Sequence, residues 1–183
     1  VTDKESIVVV EEVLNKFNKE ITDALEKNGC GNQSISNRDK NIITVIQENK
    51  ELGFVGMPTE INRSIIDQVV KEKKVPVIAP LGLDKDKQVY NVNADTVAGA
   101  IAKRLYARRL IIISDVEGVL DSKKKLLPEI NTQEVHSLIS KKIINGGMIP
   151  KIKNCLDVAS NGVKGVVIID GRKNHSMLFE LLS

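Results

Sequence analysis

The stretch Asp95-Thr96-Val97-Ala98-Gly99-Ala100-Ile101-Ala102, continuing to Tyr106 and followed by Leu110-Ile111-Ile112-Ile113, decides the fold class. The first part is Ala-rich and free of helix breakers, so it predicts a helix from Asp95 to Tyr106. The second is a short run that is apolar on both faces, the pattern of a strand buried on both sides. An earlier apolar run, Val75-Pro76-Val77-Ile78-Ala79, supplies a strand ahead of the helix. Strand, helix and doubly buried strand at this distance predict a right-handed parallel βαβ unit. A second unit follows, with a helix from Met148 to Ser160 leading into Gly165-Val166-Val167-Ile168-Ile169-Asp170. The expected class is α/β with a mostly parallel central sheet.

Outward from this centre, Thr2 and Glu5 stand at capping-box spacing. Ile7, Val10, Leu14, Phe17, Ile21 and Leu25 then recur every three or four residues, predicting an amphipathic helix of about six turns that ends at Asn28-Gly29. Asn41 to Ile46 and Gly53-Phe54-Val55-Gly56 read as strands joined by tight turns, and a further helix is expected from Glu60 to Glu72. A last helix spans Asn174 to Leu182. A lobe boundary, if any, falls near Gln88 to Asn91.

Composition narrows the class of function. The 183 residues are 42% apolar and 28% charged, which is ordinary for a globular domain with a core of its own, and excludes disordered and collagen-like chains. No apolar run approaches the length of a bilayer span, so no membrane partner is expected. The net charge is only +3, with 21 Lys against 6 Arg, 3% aromatic residues and no Trp. That balance lacks the Arg and stacking rings of a nucleic-acid surface. Cys30 and Cys155 share no C-x-x-C spacing, so neither a disulfide framework nor a cysteine metal site is expected, and a reducing, cytoplasmic setting fits. His136 and His175 have no partner at ligand spacing, so no protein-held metal is expected. The chain begins Val1-Thr2-Asp3 without an initiator Met or a signal peptide, which is read as processing or truncation.

In open α/β sheets ligands gather at the carboxyl ends of strands, where helix N-termini and loops offer unpaired N–H groups. Three segments fall at such places. Asn91-Val92-Asn93-Ala94-Asp95 enters a helix after a strand; the same residues serve equally as an N-cap. Ser114-Asp115-Val116-Glu117-Gly118-Val119-Leu120-Asp121 follows the most apolar strand and suits a nucleotide, or is a hairpin turn. The run Lys123-Lys124-Lys125 beyond it is a solvated loop tip. Lys142-Ile143-Ile144-Asn145-Gly146-Gly147-Met148-Ile149-Pro150-Lys151 joins two glycines to a helix start with a Lys in its first turns. A plain turn explains the glycines and Pro150. A Lys there opposes the helix dipole, however, which points to an anion. There is no G-x-G-x-x-G after a strand, no G-x-x-x-x-G-K-[ST] and no G-x-S-x-G.

Taken together, and with Pro76-Val77-Ile78-Ala79-Pro80-Leu81-Gly82 and Asp170-Gly171-Arg172 plus His175, these segments resemble the amino acid kinase family over essentially the whole chain. Within it, they are similar to the branch acting on N-acetyl-L-glutamate. The resemblance implies a mostly parallel central sheet sandwiched by helices. It implies phosphoryl transfer from ATP, with Mg2+, to the side-chain carboxylate of N-acetyl-L-glutamate, an arginine-biosynthetic step, by a cytoplasmic (in a photosynthetic eukaryote, plastid) homodimer. Residues 1–90 would be the remainder of the amino-acid lobe and 91–183 the nucleotide lobe.

By the same resemblance, Lys151 stabilises the transferring phosphoryl group and Asp95 organises the catalytic lysines. Asn91 and Asn93 bind the acyl amino acid, while Asp115, Val116, Glu117, Gly118, Val119, Leu120, Ile143, Ile144 and Asn145 line the ATP site. The family's front strand, glycine-rich loops with a second Lys, and substrate Arg have no counterpart here, and Gly31 to Asp39 carries Ser34 and Asn37 where the family has Gly. Kinases for another acylated amino acid, such as carrier-linked aminoadipate, share the fold and the 91–95 segment. A non-catalytic nucleotide-binding or assembly module is the alternative from another class.

Overall fold

The computed structural model describes residues 1–38 and 40–182; Asp39, at the end of the altered stretch that begins at Gly31, and Ser183 lie outside the described residues. The chain is α/β and divides into two compact units, Val1–Arg104 and Leu105–Ser183. The division falls C-terminal to the 90/91 boundary read from the sequence, so the helix after Asn91 counts with the first unit. No helix among the described residues is long and apolar enough to cross a membrane.

In the first unit α1 (Lys4–Lys27) leads, followed by β1 (Asn32–Ile35), β2 (Ile43–Gln47), β3 (Gly56–Ile61), α2 (Arg63–Lys71), β4 (Val75–Ile78), β5 (Leu81–Leu83), β6 (Val89–Asn91) and α3 (Ala94–Leu105). β1 and β4 form a parallel pair. A second sheet runs β3-β2-β5-β6, with β2 and β5 parallel and the outer pairs antiparallel. The helix expected from Glu60 begins at Arg63 instead, because Glu60 and Ile61 pair with Thr44 and Ile43 and bury Ile61. The strand expected over Gly53 to Gly56 is displaced in the same way and starts only at Gly56.

The start of α1 also differs from expectation. Asp3, not Thr2, is the N-cap, its carboxylate accepting from Ser6 N at 2.8 Å. Thr2 is buried and works as a tie: its N–H donates to Leu52 O at 2.9 Å and its carbonyl accepts from Phe54 N at 2.7 Å. Between them Gly53 sits at φ 72°, ψ −128°. Asn28 and Gly29 close α1 as expected.

Ile7 packs with Ala79, Leu81, Leu83 and Val89, supported by Val10, Leu14 and Phe54. Beyond Leu14 the buried face shifts by one position, to Asn18 and Thr22, so Phe17 and Ile21 stand exposed rather than in the core. The cause is polar. Asn18 Nδ2 donates to Val77 O, and Thr22 O accepts from Asn32 Nδ2, both at 3.1 Å, so this half of α1 is fastened to β4 through strand backbone and to β1 through a strand side chain. Val9, Val13, Phe17 and Ile21 consequently make an exposed stripe at four-residue spacing.

The second unit contains β7 (Arg109–Ser114), α4 (Thr132–Ser140), α5 (Met148–Ser160), β8 (Gly165–Asp170) and α6 (Ser176–Leu182). β7 and β8 run parallel in register from Arg109↔Gly165 to Ser114↔Asp170. The parallel partners therefore differ from those of the expected β4–α3–β7 unit: β4 pairs with β1 and β7 with β8. Nor is β7 buried on both faces, for Ile112 is buried whereas Ile113 is exposed. α4 opens with a true capping box between Asn131 and Glu134. Its residues and those of α5 enclose a core of Val119, Val135, Ile144 and Ile152.

Candidate functional site

In the first unit, the 91–95 segment forms one tight entry into α3. Asn91 closes β6 opposite Leu81, and Val92 N donates to Pro80 O at 3.0 Å, which holds the segment at the carboxyl end of β4. The structure separates the two asparagines. Asn93 is the cap: its Oδ1 accepts from Thr96 N at 3.1 Å and its carbonyl accepts from Val97 N. The Asn91 side chain is half-buried and, among the described residues, makes no hydrogen bond, so its amide retains both donor and acceptor capacity. Asp95 is the second residue of α3, half-buried in the first turn, where the helix dipole favours a carboxylate.

In the second unit the loop after β7 is fastened at its ends and open between. Ser114 O accepts from Gly171 N, and Val119 O accepts from Leu127 N, each at 2.8 Å. Asp115, Val116, Glu117 and Gly118 make no main-chain hydrogen bonds among the described residues, so an anion at their N–H groups would have no main-chain partner to displace. Leu120 bridges Leu126, and the Asp121 carboxylate gathers Lys123 N and Lys125 N, so the far side of the loop is the hairpin turn. The Lys123–Lys125 tip is exposed, as expected.

Val119 and Ile144 pack in one core with Ile152 of α5, which brings the 115–120 loop, the 143–145 turn and the start of α5 together. Both side chains are buried, so any contact they give a ligand is through the main chain. Ile143 is half-buried, and Asn145 is exposed with its Nδ2 on Lys142 O at 3.2 Å.

Gly146 has φ 54°, a left-handed conformation that favours glycine. Gly147 has φ −65° and needs no glycine for its own conformation. At neither would an added Cβ meet any atom within 4 Å. The pair therefore keeps open space in front of α5, whose fourth residue is the half-buried Lys151. Pro150 sits in the first turn, where its missing N–H costs nothing.

One group of charges was not singled out as functional from the sequence. Beside the 115–120 loop, at the end of β8, the buried Asp170 carboxylate accepts from Arg172 Nε and Nη2, both at 2.9 Å, and Lys173 Nζ lies 2.7 Å from Glu117 Oε1. The signal for it was present as Asp170-Gly171-Arg172-Lys173 directly after a strand, but its partner Glu117 is distant in sequence. The guanidinium and the backbone N–H of Arg172 hold the Asp170 carboxyl down at about 2, overcoming the opposite pull of burial. Because the folded value lies below the ordinary carboxylate value near 4, this group stabilises the fold above about pH 4 and the contribution is lost as pH falls toward 2. Denaturant midpoints measured across that window are expected to fall less steeply for Asp170→Asn than for the wild type. Parallel profiles would show that Asp170 does not drive the loss.

Residues 1–170 match the model of the amino acid kinase family. The acetylglutamate kinase of Pelagibacter ubique is 67% identical over 183 residues, which is all of this chain and 64% of that protein. The chain thus spans just under two thirds of that relative's length. Among solved structures, smu.665 of Streptococcus mutans superimposes with a TM-score of 0.87 at 32% identity, over 93% of this chain and 70% of the other. The N-acetylglutamate synthase of Neisseria gonorrhoeae shares the fold at 19% identity and a TM-score of 0.89, covering 100% of this chain and 42% of its own.

Proposed function

This chain belongs to the amino acid kinase family, and from that premise we propose that it takes part in ATP-dependent phosphorylation of the side-chain carboxylate of N-acetyl-L-glutamate, yielding an acyl phosphate. The observation that carries the reading is the 67% identity, along the whole chain, to an acetylglutamate kinase. The geometry supports a division of labour. Asn91, whose amide makes no hydrogen bond among the described residues, and Asn93 serve the acyl amino acid, and Asp95 keeps the catalytic, lysine-organising role. The open main chain of 115–118, the 143–145 turn and Lys151 serve ATP. A loose phosphoryl transition state needs positioning and positive charge more than a covalent nucleophile, and a Lys behind a glycine pair at a helix start supplies both.

No group of three or more His, Cys, Asp or Glu side chains that could hold a metal occurs among the described residues. The described residues therefore offer no ready cage for Mg2+, and the ion of MgATP would come bound to the nucleotide's own phosphates, as this cation commonly does. A homodimer working in the cytoplasm completes the proposal. Its support is the exposed Val9, Val13, Phe17 and Ile21 stripe of α1, an apolar face of the kind that associates.

Calorimetry with MgATP and with N-acetyl-L-glutamate tests the reading. Binding of both, with ADP release that depends on the acyl amino acid, is the expected result. Nucleotide binding alone would leave a binding module, and binding of neither would overturn the assignment.

A further inference from the structure

The loop from Asp115 to Gly118 is pinned at Ser114 and Val119 and has no main-chain hydrogen bonds of its own among the described residues. Its middle is fastened by a side chain: Glu117 Oε1 lies 2.7 Å from Lys173 Nζ. Lys173 is itself set by the turn that ends β8, where its N–H donates to Asp170 O at 3.2 Å and the neighbouring Arg172 is locked on Asp170. The β7–β8 ladder aligns Ser114 with Asp170, so the two turns meet at one sheet edge.

Resting on the reading that this unit binds ATP, we propose that Lys173 is a positioning residue for the nucleotide. By pairing with Glu117 it holds the open main chain of 115–118 in the conformation that receives the nucleotide. The pair is half-exposed, so it adds little to the stability of the fold as a whole. Its value is local: it fastens a segment that main-chain bonding leaves loose, and unfastening that segment charges the ordering cost to the ligand. The Arg172 guanidinium also feels both Asp115 and Glu117, so the edge carries a second cation beside the pair.

Hydrogen exchange of the 115–118 amides and calorimetric MgATP affinity, both on the full chain, test the proposal together. Lys173→Ala is expected to speed exchange in 115–118 and to raise the MgATP Kd about two- to fivefold, the range of a partly exposed ion pair. The melting temperature should stay unchanged, Lys173→Arg should restore both readouts, and Glu117→Gln with Lys173→Ala should be no worse than either alone. Exchange that rises throughout residues 105–182, with a lowered melting temperature, would make Lys173 merely structural and overturn the proposal. Binding indifferent to Lys173 overturns it as well. A wild-type chain that binds no MgATP overturns the nucleotide reading itself, and with it the role of the pair.

Discussion

In the intact enzyme that the proposed function calls for, Lys151→Ala is expected to lower turnover about a hundredfold, with a smaller change in the KM for ATP. Removing one preorganised electrostatic stabiliser from a phosphoryl or acyl transfer site costs about 3 kcal/mol of transition-state free energy, which is about two powers of ten in rate. Lys151 stands in the first turn of α5, where its charge opposes the helix dipole, so local helix energetics give no reason for a cation there. Loss of the cation relieves its opposition to the dipole, while the other contacts of Lys151 go with it, so the melts report the balance of the two. Initial-rate measurement of ADP release with N-acetyl-L-glutamate, alongside circular dichroism melts, separates the two effects. A kcat near the wild-type value would remove Lys151 from the chemistry.

Gly53→Ala should be among the most damaging small substitutions in the first unit, costing about 3 kcal/mol from left-handed backbone strain plus overpacking. At φ 72°, ψ −128° the backbone occupies a region that residues with a Cβ avoid, and the added carbon would lie 2.2 Å from the carbonyl oxygen of Thr2. That neighbour is backbone and cannot swing away as a long side chain could. It also carries the bond from Phe54 N, and Phe54 packs against the Ile7 cluster, so the disturbance passes directly to the seat of α1. For a chain of this size the cost corresponds to a fall of about 6 to 12 °C in melting temperature. Gly29→Ala is the control. Its φ is also 72°, but an added Cβ there meets nothing, so only the backbone strain remains. Equal melting temperatures for the two variants would show that contact with Thr2 is not the cause.

Much of this architecture could be read from residue order because some boundaries are chemically sharp. α5 and β8 run over Met148–Ser160 and Gly165–Asp170, as the glycine pair, Pro150 and the apolar run predict. The 91–95, 115–120 and 143–151 segments were likewise recognisable as turns at strand ends or helix starts.

What escaped depends on partners distant along the chain. Periodicity places Phe17 and Ile21 with Leu14, but it cannot register that Val77 O and Asn32 lie under the second half of α1 and draw Asn18 and Thr22 inward. Glu60 and Ile61 suit a helix until β2 is beside them. Whether Asn91 or Asn93 would be consumed by capping is undecidable from spacing, since both residue types cap well; the hydrogen bond to Thr96 decides it. The Glu117–Lys173 contact exists only through the register of two strands joined by a long crossover.

That crossover also bears on how the protein forms. β7 finds its neighbour only after the chain has passed through α4 and α5, so every bond of the Arg109–Ser114 ladder closes a large loop. Loop-closure entropy must be met before those pairings contribute, which puts the ladder late on the folding route and makes its formation slow. Packing of the helices between on the Val135 and Ile152 core shortens that search. During synthesis, β7 therefore emerges as an apolar strand with no mate until Gly165 and its successors are made, and the interval is one in which this segment is exposed to aggregation.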